Sequence, residues 1–280
     1  MPECVFENLR KRLRIFRYYI ASKDQYSYVG LENLLRSLLS PSRQSIAEGY
    51  ISSIEETDEY VILQLKGLRR PLFWPRDLSR RHLYTCIAEI LNKHDWHHYE
   101  IPETTVERGD IVVDCGASGG LFGLTVLERA RELYLIEPLP LFKKALLRTF
   151  EGSEKCQIID CALSDKPGKA HFTNASITSR ISSTGDVDVN VDTVDRLFFH
   201  RGIQVTYIKA DLEGFEMNML RGAQKTIQEN RPRIAITAYH EEQEVDEMVS
   251  FMLSLVPTYH YKFKGIDDET GKPIMVHFWI

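Results

Sequence analysis

The stretch Asp110-Ile-Val-Val-Asp-Cys-Gly-Ala-Ser-Gly-Gly-Leu-Phe-Gly123 decides the fold of this chain. A short run of β-branched residues is followed by a cluster of glycines, and apolar residues then recur at helical spacing as far as Ala130. This order predicts a strand, a tight turn and a helix. Glycines in such a turn can take positive φ and let the backbone approach a ligand closely. The unit is typical of the start of a nucleotide-binding α/β fold.

From about residue 105 onward, predicted strands alternate with predicted helices. After the first strand, four more parallel strands are expected, at 131–137, 156–163, 204–211 and 233–239. The chain closes with two segments that we expect to form an antiparallel pair, Tyr259–Lys264 and Ile274–Trp279. This alternation predicts a doubly wound α/β sheet that is mostly parallel, with helices on both faces.

The first 95 residues do not follow this alternation. Residues 1–48 are predicted to be helical, and the apolar positions Phe6, Leu9, Leu13 and Phe16 are surrounded by arginine and lysine. The pattern indicates either a basic arm for RNA or an anionic surface, or the solvated face of an accessory helix. A hairpin over 60–74 and a helix over 83–91 should follow. We therefore expect an accessory segment at 1–95 and a ligand-binding domain at 96–280.

Composition excludes several classes of function. The net charge of −5 over 280 residues argues against a protein-wide attraction to nucleic acid, so no nucleic-acid partner is expected. No run of about 18 apolar residues is present, and neither a spanning helix nor a membrane partner is expected. The five cysteines lack a Cys-x-x-Cys spacing, and charges interrupt any opening apolar region. These features predict reduced thiols and a cytoplasmic location, without a signal peptide.

A histidine-rich segment, His94-Asp-Trp-His-His98, could suggest a metal site. However, His97 and His98 are adjacent and cannot share one helix face with His94 in a ligand geometry. No closed set of ligands accompanies them. We therefore expect no metal here, whereas Tyr99-Glu100 leads into the core domain and could lie near a ligand.

Polar residues follow several of the predicted strands. In an open parallel sheet, ligands bind at the carboxyl ends of the strands, where the strand order reverses. The residues found there are Asp114, Glu137, Ala162–Asp165, Asp211–Glu216 and His240. Glu137 follows Asp114 by 23 positions (137 minus 114), the spacing at which an acid accepts hydrogen bonds from ribose hydroxyls.

The glycine turn narrows the choice of nucleoside ligand. It lacks the Gly-x-Gly-x-x-Gly spacing of dinucleotide sites, and the chain has no P-loop sequence. Asp114, just before the glycines, is a poor neighbour for a pyrophosphate and a good one for a cationic ligand. S-adenosylmethionine carries a ribose, an ammonium and a sulfonium but no phosphate, and it fits this pattern best.

Four motifs in this order resemble the FkbM family of methyltransferases. They are Asp114-x-Gly-Ala-x-x-Gly120, Glu137-Pro138, Ala162-Leu-Ser-Asp165 and Ile208-Lys-Ala-Asp-Leu-Glu-Gly-Phe-Glu216. The resemblance covers roughly residues 95–280 and leaves the accessory segment outside. It implies a class I methyltransferase (Rossmann-like) fold with a seven-stranded sheet whose last strand pair is antiparallel. It also implies S-adenosylmethionine as cofactor and methyl transfer to a hydroxyl of a sugar, polyketide or similar small molecule.

The resemblance also implies roles for individual residues. Glu137 would bind the ribose hydroxyls, the turn would accommodate the methionine moiety, and Ala162 would line the adenine. The expected cofactor-binding residues are Asp114, Gly116, Ala117, Ser118, Gly120, Glu137 and Ala162.

Transfer to an alcohol also needs a base for the hydroxyl proton. His240 is the first choice because its unperturbed pKa is near neutrality, and Asp211 and Glu213 come next. The two acids could instead hold a magnesium ion. Purely structural roles are also open: His240 could cap the next helix, Glu216 could favour a helix start, and Lys209 could pair with one of the acids.

Two other functions remain open at this point. An RNA methyltransferase could use a basic face made of Arg69, Arg70, Arg76, Arg80 and Arg81. Against it, the fourth strand ends in Lys-Ala-Asp-Leu-Glu rather than the Asn/Asp-Pro-Pro-Tyr/Phe usual for amino methylation of bases. A non-catalytic module that binds the cofactor or a partner is the other alternative. The loops at 174–185 and 265–272 carry no readable code for the acceptor.

Overall fold

The computed structural model describes residues 2–21, 25–172, 181–182, 187–240 and 245–280. The loop at 174–185 could from its sequence be either a substrate cover or a plain surface loop, and apart from 181–182 it lies outside the described residues. Where the chain is described, no helix combines the length and apolar character needed to cross a bilayer.

The accessory segment contains four helices and a small antiparallel sheet. In chain order these are α1 (Pro2–Ala21), α2 (Leu31–Leu38), α3 (Arg43–Tyr50), β1 (Ile51–Glu56), β2 (Tyr60–Leu65), β3 (Leu72–Pro75) and α4 (Arg80–Leu91). The hairpin β2–β3 and helix α4 were predicted, whereas β1 was missed. Five of the six residues of β1 are exposed, so its sequence lacks the alternation of apolar and polar residues that indicates a strand.

The elements of the remaining chain alternate as predicted. The first half holds β4 (Ile111–Cys115), α5 (Leu121–Val126), β5 (Glu132–Ile136), α6 (Pro140–Thr149), β6 (Cys156–Ile159), β7 (Ala162–Leu163), β8 (Gly168–Phe172), β9 (Ile181–Ser182) and β10 (Val187–Asp192). The second half holds α7 (Val194–Leu197), β11 (Tyr207–Ala210), α8 (Glu216–Arg221), α9 (Gln224–Asn230), β12 (Arg233–Thr237), α10 (Val245–Leu255), β13 (His260–Lys264) and β14 (Met275–Trp279).

Seven strands form the central sheet in the order β13-β14-β12-β11-β4-β5-β6. Strand β14 is antiparallel to both of its neighbours, and the other pairings are parallel. The predicted mostly parallel sheet with an antiparallel closing pair is therefore confirmed. The chain runs from β4 outward to β6 and returns to β11 on the other side of β4. This reversal places a ligand crevice at the carboxyl ends of β4 and β11.

The predicted third strand, 156–163, is two strands in different sheets. Strand β6 belongs to the central sheet, whereas β7 pairs in parallel with β10 in a separate four-stranded sheet of order β7-β10-β8-β9. The apolar run is nearly continuous in sequence, so its pattern could not show the change of sheet. The break carries Ala162 away from the central sheet and towards the crevice.

The helix predicted after Gly214 is also divided, into α8 and α9. Between them, a Cβ on Gly222 would lie 2.1 Å from the carbonyl oxygen of Ser164. Asp195 then accepts the backbone N–H groups of Lys225 and Thr226 at the start of α9, at 3.0 and 2.8 Å. The backbone contact at Gly222 thus separates the two helices, and the Asp195 side chain caps the start of α9.

The accessory segment shares an apolar core with one face of the central sheet. Trp74 of β3 and Leu83 of α4 are buried in the same cluster as Phe122 and Leu146. The Trp74 ring also makes an edge-to-face contact with Phe142, at a centroid distance of 5.9 Å. Because of this packing, α4 lies beside the crevice at the strand ends.

Candidate active site

The glycine turn after β4 closely approaches the turn after β11. Gly116 has a φ of +78°, and a Cβ there would lie 2.0 Å from the carbonyl oxygen of Asp211. At the start of α5, Gly120 has a φ of +80°, and a Cβ there would lie 2.5 Å from Leu146. Both the backbone conformation and the close contacts therefore require glycine at these two positions.

Glu137 lies immediately beyond β5 and faces the glycine turn. Its carboxylate accepts the backbone N–H of Ser118 at 2.8 Å and that of Leu139 at 2.9 Å. Burial raises the Glu137 pKa to about 7, against the opposing effect of these two N–H groups. The Ser118 hydroxyl is buried without a hydrogen-bond partner. A buried acid beside an unsatisfied hydroxyl fits the polar groups of a ribose-bearing cofactor.

A cavity of about 350 Å³ lies over these strand ends. The predicted residues that line it are Gly116, Ala117, Ser118, Glu137, Ala162, Asp211 and Glu213. Asp114, Gly120 and His240 do not line it. The structure therefore brings most of the predicted site residues together, and the three exceptions have identifiable structural positions.

Asp114 lies inside β4 rather than beyond its end, and its side chain is fully buried. Lys209 Nζ lies 3.0 Å from Asp114 Oδ1 and donates to the Gly116 carbonyl at 2.8 Å. Burial raises the pKa of Asp114, with Lys209 opposing that effect. The sequence offered the acids of the 211–216 turn as partners of Lys209, whereas the ion pair found is with Asp114. This pair supports the glycine turn from behind.

Asp211 faces the cavity from the end of β11. One of its carboxylate oxygens accepts the Tyr99 hydroxyl at 2.6 Å. Burial alone would raise the Asp211 pKa, but Lys209, His240, the Tyr99 hydrogen bond and His97 together outweigh burial and lower it. Asp211 is therefore ionised at neutral pH and held in one orientation. Tyr99 also lines the cavity, in agreement with the expectation that it lies near the ligand.

His240 lies behind the cavity wall, and its position requires a correction to the predicted base. Its Nε2 is 3.5 Å from Glu213 and its Nδ1 is 3.2 Å from Glu216. Burial alone would lower the His240 pKa, but the two carboxylates outweigh burial and raise it to about 10. The imidazole therefore carries its proton at neutral pH and cannot accept another. The sequence left open a structural role as a cap of the next helix, whereas the contacts found for the His240 ring are with Glu213 and Glu216.

Glu216 organises the loop between β11 and α8. Its carboxylate accepts the backbone N–H groups of Leu212 and Gly214, at 2.7 and 3.0 Å, and the Thr237 hydroxyl at 3.0 Å. Ligand atoms of Asp211, Glu216 and His240 also lie within 4.8 Å of one another. Because the Glu216 oxygens already accept three hydrogen bonds, this arrangement is accounted for by loop structure.

One wall of the cavity comes from the accessory segment and was not predicted. It consists of Arg43, His82, Thr85, Cys86, Glu89 and Ile90, most of them on α4. Arg43 forms an ion pair with Glu89 at 2.8 Å. A signal for this wall exists in the sequence, because His82, Cys86 and Glu89 recur at helical spacing as a polar stripe.

His97 completes this wall and was considered above only as a metal ligand. Its Nδ1 lies 3.6 Å from Glu89 and 3.7 Å from Asp95, and its ring meets Tyr239 edge-on. Burial alone would lower the His97 pKa, but the two carboxylates outweigh burial and raise it. The other two histidines of the segment point to different partners: His94 contacts Arg36, and His98 Nδ1 contacts the Ile90 carbonyl.

The arginines of the suggested RNA-binding face contact other residues of this protein. Arg69 pairs with Glu128, and Arg80 pairs with Glu56. Arg70 donates to the Glu151 carbonyl and Arg76 to the Thr57 carbonyl. The guanidinium groups of these four arginines thus have partners within the chain, which weakens their availability for phosphate.

Comparison with known proteins identifies the family of this chain. The family model described as the methyltransferase FkbM domain matches residues 114–263, more than half of the chain. No curated protein matches the chain. The crystal structure of methyltransferase FkbM from Methylobacillus flagellatus KT is 20% identical, with a TM-score of 0.51. The match covers 72% of this chain and 56% of that chain.

Two further crystal structures are more remote, with TM-scores of 0.45. Fibrillarin of Aeropyrum pernix with bound S-adenosyl-L-methionine is 12% identical, and the match covers 82% of this chain and 99% of that chain. Trm5b of Pyrococcus abyssi is 12% identical, with 80% and 56% covered. Neither likeness bears on the acceptor.

The fold and the site together define a class I methyltransferase, and the family implies S-adenosylmethionine as the methyl donor. The chain belongs to the FkbM methyltransferase family.

Proposed function

We propose that the chain transfers a methyl group to a hydroxyl oxygen of a small molecule, such as a sugar or a polyketide-type metabolite. The observation that carries this proposal is the cavity that connects Glu137 with the Asp211–Tyr99 pair. Helix α4 forms one wall of this cavity and limits the size of what can reach the strand ends. A volume of about 350 Å³ is at the lower end for small-ligand sites.

The cofactor-binding roles follow from the residues at the strand ends. Glu137 binds the ribose hydroxyls, and the backbone of Gly116–Ser118 accommodates the methionine moiety. Ala162, at the start of the smaller sheet, lines the adenine. Residues 96–280 thus form the cofactor domain, and the accessory segment 1–95 supplies the acceptor wall.

The bound cofactor supplies a methyl group attached to a sulfonium, which is ready for attack by an oxygen nucleophile. Asp211, fixed by the Tyr99 hydroxyl, orients the acceptor hydroxyl through its carboxylate. Glu213, which also lines the cavity, provides a second acceptor for hydroxyl groups. The sequence offered both acids as candidate bases or magnesium ligands; here they hold hydroxyl groups instead.

His97 replaces His240 as the base. It lines the cavity, whereas His240 does not. Burial lowers the His97 pKa while Glu89 and Asp95 raise it above its ordinary value, so His97 would act as the base in its deprotonated form. Glu89 and Asp95 stabilise the imidazolium that forms when His97 takes the hydroxyl proton.

The proposal is tested by supplying the cofactor together with a panel of glycosides and polyketide alcohols, and separately with total RNA. Formation of S-adenosylhomocysteine and a mass gain of one methyl group on a hydroxylated small molecule are expected. Methylation of RNA alone would replace the proposal with the RNA methyltransferase alternative.

A matched pair of histidine variants tests the base. His97→Asn should lower kcat by ~100-fold without weakening S-adenosylhomocysteine binding. His94→Asn, an exposed change three residues away, should leave both quantities as in the wild type. Equal kcat values for the two variants would remove His97 from the reaction.

A further inference from the structure

Helix α1 carries an exposed apolar stripe that the methyltransferase site does not use. The stripe consists of Leu9, Leu13, Phe16 and Ile20, whose exposed fractions are 52%, 57%, 43% and 61%. Their spacing of four, three and four residues places all four on one face of the helix. The stripe is therefore a continuous apolar surface directed at solvent.

Contacts of the opposite face of α1 with the rest of the chain determine that the stripe points outward. Lys11 and Arg14 form ion pairs with Asp268, and the Tyr18 hydroxyl donates to the Glu269 carbonyl at 3.0 Å. Lys11, Arg14 and Tyr18 occupy the side of the helix that faces away from the stripe. The helix is thus held against the 265–272 loop with its apolar side outward.

The neighbouring helix extends the exposed apolar surface. Leu31 and Leu35 of α2 and Leu39 just beyond it have exposed fractions of 61%, 47% and 78%. Over the part of the chain that the structure describes, eleven large apolar side chains are exposed, and seven of them belong to this α1–α2 surface. A concentration of this kind marks an interaction surface rather than ordinary scatter.

The charge around the stripe indicates the kind of partner. Helix α1 contains five basic and two acidic residues, a net charge of +3 (5 minus 2), whereas the whole chain has −5. Arg10 and Arg17 are exposed and follow directly after Leu9 and Phe16, at the flank of the stripe. A second copy of the chain would bring these like charges together, whereas an anionic partner would be attracted.

We propose that the α1–α2 surface binds in the plane of an anionic lipid membrane. An apolar stripe bordered by arginines is the pattern of helices that lie in the interface, with the stripe among the acyl chains and the cations at the headgroups. This proposal concerns a different face of the molecule from the proposed function, and neither depends on the other.

A groove of about 760 Å³ lies on the other side of α1 from the stripe, lined by Lys11 and Ile15 of α1 and by Arg36 of α2. Arg43 and His97 line both this groove and the cofactor cavity. The stripe and the active site are therefore on different sides of α1.

Sedimentation of the full chain with vesicles tests the proposal. Vesicles of phosphatidylcholine mixed with phosphatidylserine should bind the protein, and binding should weaken as salt is raised. The double variant Leu13→Glu/Phe16→Glu should bind at least ~10-fold more weakly. Leu147→Glu on α6, where the leucine is 53% exposed, is the matched control and should bind as the wild type does.

A second pair of substitutions tests the electrostatic part. Arg10→Glu/Arg17→Glu should weaken binding to the mixed vesicles by ~5-fold or more per arginine. Circular dichroism melts should show that all variants fold. The proposal is overturned if folded wild-type protein fails to bind the mixed vesicles, or if Leu147→Glu weakens binding equally. It is also overturned if light scattering shows a dimer that Leu13→Glu/Phe16→Glu dissociates, since the stripe would then be a protein interface.

Discussion

The two ends of the central strand β4 each carry a buried aspartate, and their surroundings differ. At the amino end, Asp110 accepts two hydrogen bonds from Arg233 Nη2, at 2.7 and 2.8 Å. It also accepts the Thr206 hydroxyl at 2.8 Å and the Glu107 N–H at 2.6 Å. At the carboxyl end, Asp114 has Lys209, while the nearby Ser118 hydroxyl has no partner.

From this difference we infer that the amino end of the sheet stabilises the fold, whereas the carboxyl end carries the function. Around Asp110, the polar groups have hydrogen-bond partners within the chain. These hydrogen bonds connect β4 with β11 and β12. At the other end, Glu137, Asp211 and His97 have pKa values shifted by burial and by neighbouring charges. Shifted pKa values concentrated beside a cavity are typical of sites that bind ligands and transfer protons.

The largest expected effect is on catalysis at the carboxyl end. Asp211→Asn keeps the shape of the side chain but removes the charge that orients the acceptor, so turnover should fall by ~1,000-fold. Asp110→Asn is the same change at the other end of the sheet and should reduce stability, with turnover of the folded protein preserved. Methyl-transfer assays and urea denaturation of both variants check the pair; similar turnover in the two would contradict the division of roles.

Removal of Arg233, the cation at the amino end of the sheet, should lower stability and leave cofactor affinity unchanged. Arg233→Ala leaves the buried Asp110 carboxylate without its main partner and should lower the free energy of unfolding by about 3 kcal/mol. Below the unfolding transition, the affinity for S-adenosylhomocysteine should equal that of the wild type. Denaturation curves combined with calorimetric titration measure both; a large loss of affinity in folded protein would show that the two ends are coupled.

His240 should show a stabilising effect although it lies near the carboxyl end. His240→Gln loses the ion pairs with Glu213 and Glu216 and should lower the free energy of unfolding by about 2 kcal/mol at neutral pH. Since the His240 pKa is raised to about 10, this contribution is fully present below the unfolded pKa and is lost as pH rises through about 10.

Unfolding measurements from neutral to alkaline pH should therefore show the wild type and the variant converging. A difference that instead persists unchanged above the raised pKa would mean that His240 stabilises the fold by packing. The pH profile of kcat should keep its shape in the variant, because His240 does not face the cavity.

The alternation of strands and helices was sufficient to predict the sheet and the residues that follow its strands. Glu137 and Asp211 face the cavity because each comes directly after a strand that the sequence pattern defines. Asp114 was misplaced because β4 continues through Cys115, so the acid belongs to the strand interior.

The α4 wall could not be predicted in the same way. Tyr99, which lines the cavity beside this wall, donates to Asp211 more than a hundred positions away, and no local pattern encodes such a distance. For His240, the sequence correctly predicted a position just after β12 but not the direction of its side chain. The ring points towards Glu213 and Glu216. The direction of a side chain in a loop depends on partners that sequence spacing does not reveal.

The central claim is that the carboxyl end of the sheet holds the cofactor through Glu137. Calorimetric titration of S-adenosylhomocysteine into the wild type and into Glu137→Gln, over a pH range on both sides of 7, tests it most directly. Because the Glu137 pKa is about 7, wild-type affinity should rise as pH increases through that value and the carboxylate forms. The variant should bind ~10-fold more weakly at alkaline pH and show no such rise. Equal affinities, or a wild-type affinity that does not respond to pH, would contradict the account.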